Sequence, residues 1–285
     1  MKGENTVTQS TSIRDVVRQI ALTVAFSAVG LLVPHLIEEL LQLDLSKITV
    51  AIIAFAVSAF GAIILFPRVF GIPFGKTSSS DFARRIGFHL PKHGWKHIGL
   101  GLTLAVCTLS GMLVGSILTG EYVLDAANIT LSQAVFALAP GVWEEVFFRG
   151  ILMVVLLRAT KSLKKAFLAQ CILFALCHIK GTSLHALADV FSVFLIAIGF
   201  TYVAYKTGSL VAGITFHYFH DALLFFVQSP ESELFSFQQH ALFYAGLWIM
   251  VGIGCLVTKA AVQRFQIRAE DELYQVPSAN AGRGY

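Results

Sequence analysis

Charge is scarce in this chain. Of 285 residues only 13% are Asp, Glu, Lys or Arg, 56% are hydrophobic, and the mean hydropathy is +0.73. That excludes a soluble globular domain, in which about 25% of residues are charged. Cysteine is sparse too: Cys107, Cys171, Cys177 and Cys255 fall in apolar runs without CxxC spacing, so neither a disulfide framework nor a zinc ribbon is expected. Strand-period alternation is absent from those runs, which favours helices over a barrel. There is no HExxH, no internal repeat, no low-complexity tract and no sign of a second domain. The first apolar run lacks a small-residue cleavage site and reads as a retained helix. A net charge of +4 comes without a basic stripe interleaved with aromatics, so nucleic acid is not an expected partner.

Apolar runs are what the chain has instead. A bilayer core of about 30 Å takes roughly 20 helical residues, and eight nearly charge-free runs approach that length, over 20–33, 48–66, 98–118, 131–157, 166–179, 186–205, 207–227 and 241–257. The expected fold is all-α: a polytopic membrane bundle of about eight transmembrane helices with a polar intramembrane cavity. Residues 1–258 form the transmembrane domain, and 259–285 a cytoplasmic, disordered tail. Lys and Arg collect on the cytoplasmic side of membranes. With the amino terminus inside, the outer loops keep only Lys47 and Lys180 and carry acids such as Glu38, Glu39, Asp44 and Glu121. The chain is thus expected to be a multi-pass protein of the cell membrane with both termini cytoplasmic. "GKTSSSDFARR" reads as a cytoplasmic loop, and the basic segment 68–96 is expected to touch anionic headgroups of membrane lipid. In "HLPKHGWKH", His89, His93 and His97 have a metal-like spacing, but Pro91 and Gly94 break the helix it would need. That segment reads as interfacial, anchored by Trp95.

Topology leaves several ionisable groups unexplained. Glu144, Glu145, Arg149, Asp189, Asp221, His178, His217 and His220 lie deep in apolar runs. Each intramembrane charge costs about 2.5 to 3.5 kcal/mol on insertion scales, so a set over several helices points to a functional site. Glu145 and Arg149, four apart, share a helix face and can pair. Glu144 lies about 100° away, without that cation; a desolvated carboxylate so placed suits a general base. Glu144, His178 and His217 fall roughly 21, 20 and 17 Å from the nearest cytoplasmic basic residue at about 1.5 Å per residue, a common depth that a shared cavity requires. Pro140 and Gly141 are expected to interrupt the fourth helix and free carbonyls there. The fifth run is too short to span, which predicts a water-filled pocket beside His178. Cys177, about 100° around a helix from His178, reads as packing rather than as a nucleophile. Asp189 is expected at the cavity entrance or as a helix cap.

The pattern Glu144-Glu145-x-x-x-Arg149, Phe174-x-x-x-His178 and His217-x-x-x-Asp221 resembles the three motifs of the CPBP family, the CAAX proteases and bacteriocin-processing enzymes, also called the Abi family. The resemblance covers about 131–227. It implies a glutamate-dependent intramembrane endopeptidase similar to type II CAAX prenyl endopeptidases, needing no cofactor and acting on a prenylated or membrane-anchored peptide or protein. By that analogy Glu144 activates water, His178 helps to position or deprotonate it, and His217 with residue 221 faces the oxyanion, while Glu145 and Arg149 hold the site's shape. Family members often carry Asn where this chain has Asp221. Either Asp221 is protonated, or it accepts a hydrogen bond from His217 and leaves His217 as sole donor, which i to i+4 geometry favours. Two rival readings remain: a zinc peptidase drawing on Glu144, His178, His217, His220 and Asp221, and a non-catalytic membrane scaffold or immunity-type protein.

Overall fold

In a computed structural model, the structure describes residues 76–119, 123–124, 131–224, 227–228 and 237–267, with 13–22 and a few single positions between 25 and 56. Most of the first two apolar runs, both termini and most of the outer acids lie outside the described residues.

Three helices are long and apolar enough to cross a membrane among the described residues. They are α2 (Gly94–Thr119), α6 (Leu184–Thr207) and α8 (Phe237–Phe265). Each contains a 22-residue span, about 33 Å at 1.5 Å per residue and so matched to the hydrocarbon core. Around them pack shorter helices: α1 (Lys76–Arg85), α3 (Leu131–Glu144), α4 (Met153–Thr160), α5 (Leu163–Leu176) and α7 (Val211–Leu224). A helical membrane bundle is the result. Two-residue strands β1 (Val123–Leu124) and β2 (Val227–Gln228) pair antiparallel and tie the segment after α2 to the segment after α7.

Three expectations need correction. The fourth apolar run is not interrupted at Pro140 and Gly141. α3 runs through Pro140, and the irregularity comes at the glutamates themselves, where residues Glu145–Leu152 form a π-helix that hands over to α4. All eight π-helical residues are buried, so tertiary packing on every side can hold the wider turn that propensity alone would not. Second, within "GKTSSSDFARR" the residues Lys76–Arg85 are a helix, not a loop. Phe82 and Ile86, four apart on one face, are buried in the core around the π-helix, and two apolar anchors in a polar segment are too few to show in a hydropathy window. Third, α8 continues to Phe265, into the segment assigned to the tail.

The connections fix how the site helices meet. Ser162 and Ser183 cap α5 and α6 by accepting from Lys165 and Ala186 backbone N–H groups, so α6 is capped by Ser183 and not by Asp189. The α1–α2 connection docks on the α6–α7 turn, with Leu210 N–H donating to Gly87 O at 2.9 Å and the Ser209 hydroxyl donating to His89 O at 3.2 Å. α7 is wedged between α2 and α3. Its closeness to α3 depends on Gly141, where a methyl group would lie 3.1 Å from the Tyr218 backbone nitrogen.

Candidate active site

Two neighbouring glutamates meet different surroundings because one closes α3 and the other opens the π-helix. Glu145 Oε1 lies 3.1 Å from Arg149 Nη1, and neither side chain has any exposure. This is the pairing expected from their spacing. Arg149 is also held by aromatic faces, its guanidinium carbon 4.0 Å from the Phe174 ring centre and 5.1 Å from that of Phe200. Cation–π contact of this kind stabilises a desolvated guanidinium. Glu144, by contrast, keeps 12% of its side chain exposed.

His217 joins the two carboxylates. Its Nδ1 is 2.9 Å from Glu145 Oε1, and because that carboxylate is paired with Arg149 it acts as acceptor, so Nδ1–H donates. The other nitrogen, Nε2, faces Glu144 Oε2 at 3.7 Å and Asp221 Oδ2 at 3.5 Å. The short bond of His217 therefore goes to Glu145 across the helix interface. Asp221, expected to accept it, stands at a longer distance on the same helix. The ring is stacked on Phe200, with centroids 4.5 Å apart and planes 20° from parallel. Neither Phe200 nor Gly213 was singled out from sequence. A methyl at Gly213 would lie 3.0 Å from Glu145 Oε2, so a glycine one turn before His217 lets the carboxylate reach the α7 backbone. The glycine four residues ahead of a motif histidine was the available signal.

His178 lies beyond the end of α5, in the turn that follows Leu176. Its Nδ1 is 2.8 Å from Phe174 O. A carbonyl only accepts, so Nδ1 carries the proton and Nε2 of the neutral ring is left as a lone pair. The imidazole also packs against the Phe174 ring at 4.6 Å. Cys177, expected inside a helix, is the exposed residue that caps α5.

His220 and Asp189 belong elsewhere. His220 is buried with Nδ1 3.4 Å from the Thr108 hydroxyl of α2, and Asp189 accepts from Tyr244 of α8 at 2.7 Å. Among the described residues no three His, Cys, Asp or Glu side chains converge as a metal would need. In "HLPKHGWKH" α2 starts only at Gly94, with Trp95 71% exposed and His97 buried.

Residues 126–223 match the family model described as type II CAAX prenyl endopeptidase Rce1-like. All three motifs lie inside the matched segment, and the match supports placing it in the CAAX protease family that they resemble. No curated protein and no solved structure matches the chain.

Proposed function

We propose that this chain, an integral membrane protein with a CAAX-protease-family segment over 126–223, is an endopeptidase that hydrolyses a peptide bond with a glutamate-activated water. The observation that carries the reading is the division of labour between the adjacent glutamates. Glu145, sealed and paired with Arg149, anchors His217 Nδ1, whereas Glu144 is partly accessible and lies beside His217 Nε2.

In this mechanism a water sits between Glu144 and His178. Glu144 takes one of its protons, His178 Nε2 accepts a hydrogen bond from the other, and the water oxygen attacks the scissile carbonyl carbon. Negative charge then develops on the former carbonyl oxygen. His217, doubly protonated and flanked by Glu144, Glu145 and Asp221, donates from Nε2 to that oxyanion, and such a preorganised donor typically contributes about 3 to 4 kcal/mol. Collapse expels the amine, which takes the proton from Glu144, and the carboxylic acid product gives its remaining proton through His178 to that amine, leaving a carboxylate and an ammonium. Glu145 and Arg149 are positioning residues, and Asp221 accompanies the charge on His217.

The matched family's description as a type II CAAX prenyl endopeptidase supports a prenylated peptide or protein as substrate, and a membrane-anchored one is the wider class. The charge asymmetry of the loops further supports residence in the cell membrane with both termini cytoplasmic. The test is cleavage of matched prenylated and unprenylated peptides by the purified chain and by Glu144→Gln, each with and without chelator. Chelator-resistant cleavage by the native chain, lost in the variant, is expected. Equal cleavage by both proteins would overturn the role of Glu144, and loss on chelation would restore the zinc reading.

A further inference from the structure

A separate feature lies where α2 begins and α8 ends. After Phe265 the chain takes a left-handed turn at Gln266, φ 50°, and folds back to bury Ile267 in one core cluster with Leu100. Between the helix ends runs a groove of about 390 Å³, walled by Leu100, Val257, Ala261 and Ile267, with Trp95 and Lys96 also lining it. That volume falls within the roughly 300–1,000 Å³ range of small-molecule pockets.

Its depth and charge identify the occupant. The membrane spans of α2 and α8 start at Gly94 and end at Phe265, so the groove reaches the level at which both helices pass from hydrocarbon to headgroups. Trp95 is 71% exposed there, as expected of an interfacial anchor. The Lys96 ammonium donates to Phe265 O at 2.9 Å, which fixes it across the helix ends while leaving two of its three donors for a ligand. Lys92, His93, Lys259 and Arg264 are exposed on the same two segments. No Asp or Glu occurs anywhere in 82–119 or 234–269.

We propose that this groove binds one anionic phospholipid of the surrounding membrane, an acyl chain lying along the apolar wall and the phosphate resting on Lys96. A zwitterionic lipid fills the wall equally well but brings no net negative charge to the basic rim. On the orientation read from the sequence the site faces the cytoplasmic leaflet, where anionic lipids raise the attraction of basic residues.

Native mass spectrometry of the full chain, purified with equal phosphatidylglycerol and phosphatidylcholine, counts the lipid retained. One phosphatidylglycerol per chain is expected. Gly99→Phe fills the groove from a position where an added Cβ meets nothing within 4 Å, and should abolish retention while leaving the melting temperature unchanged. Lys96→Gln should lower phosphatidylglycerol affinity about fivefold, the worth of one basic residue at an anionic surface, and remove the preference over phosphatidylcholine. Equal retention of both lipids by the native chain, or retention that survives Gly99→Phe, would overturn the proposal. So would a lipid that binds only after residues 268–285 are removed, since the groove would then belong to the chain's own carboxyl-terminal segment.

Discussion

Two polar seams of the bundle are built differently. Between α6 and α8, Tyr244 donates to Asp189 at 2.7 Å and Trp248 Nε1 to the Ser192 hydroxyl at 3.2 Å. Each bond joins a donor on one helix to an acceptor on the other, which is the form that polar glue takes in a membrane. Where α3, the π-helix and α7 meet, three carboxylates surround one imidazole and one guanidinium, and one His217 nitrogen has two carboxylates within 3.7 Å. Glue needs no surplus of one charge. A site that must take up and return a proton does, which is why the second seam and not the first is read as chemical.

Glu144→Gln breaks the comparison most sharply. If the α3–α7 seam were glue, an amide of the same shape would be tolerated. We expect cleavage to fall by about 10²- to 10⁴-fold, the contribution of a positioned general base, with the melting temperature unmoved.

Arg149→Met should do the reverse and act on folding. It removes one of the two cations beside the buried Glu145 and leaves only His217, at an expected cost of up to about 3–5 kcal/mol, read as a lower melting temperature in detergent. Combining it with Glu145→Met removes both charges and should recover most of that stability. Cleavage stays lost in the double variant, because His217 Nδ1 no longer has the carboxylate that orients it.

Gly213→Ala sharpens the same point with a single methyl group. The added carbon would sit 3.0 Å from Glu145 Oε2, so the carboxylate must shift by a few tenths of an ångström and carry His217 with it. Activity should drop by about tenfold, since a displacement near 1 Å at a catalytic group can cost about 10²-fold. The melting temperature should change little. Loss of stability with intact activity would reassign Gly213 to helix packing.

These contrasts explain what could be seen in the sequence. The Glu145–Arg149 pair was legible because it depends only on spacing along one helix, and 3.1 Å separates the two atoms in the structure. The long helices α2, α6 and α8 were legible because a lipid-facing helix needs an unbroken apolar run. The bond from His217 to Glu145 was not, because it depends on how α7 is rotated against the π-helix, and Asp221 at i+4 is an equally good partner in a linear reading. The π-helix was hidden for a related reason. Its only polar residues, Glu145 and Arg149, recur at a spacing of four and so read as one face of an ordinary α-helix, which does not mark the wider turn. Phe200 stacks on His217 from α6, and nothing distinguishes it from the other phenylalanines until the helices are assembled.

The smallest expected effect falls on the seam used as control. Tyr244→Phe deletes one donor and nothing else, and hydrogen bonds between membrane helices average about 0.6 kcal/mol because the separated helices find other partners. A slight fall in melting temperature, with cleavage equal to that of the native chain, is therefore expected. A large loss of cleavage would mean that α6 and α8 hold the site through Asp189, since α6 also carries Phe200 beneath His217. The two seams would then be one functional unit, and the separation of glue from chemistry would fail at the helix they share.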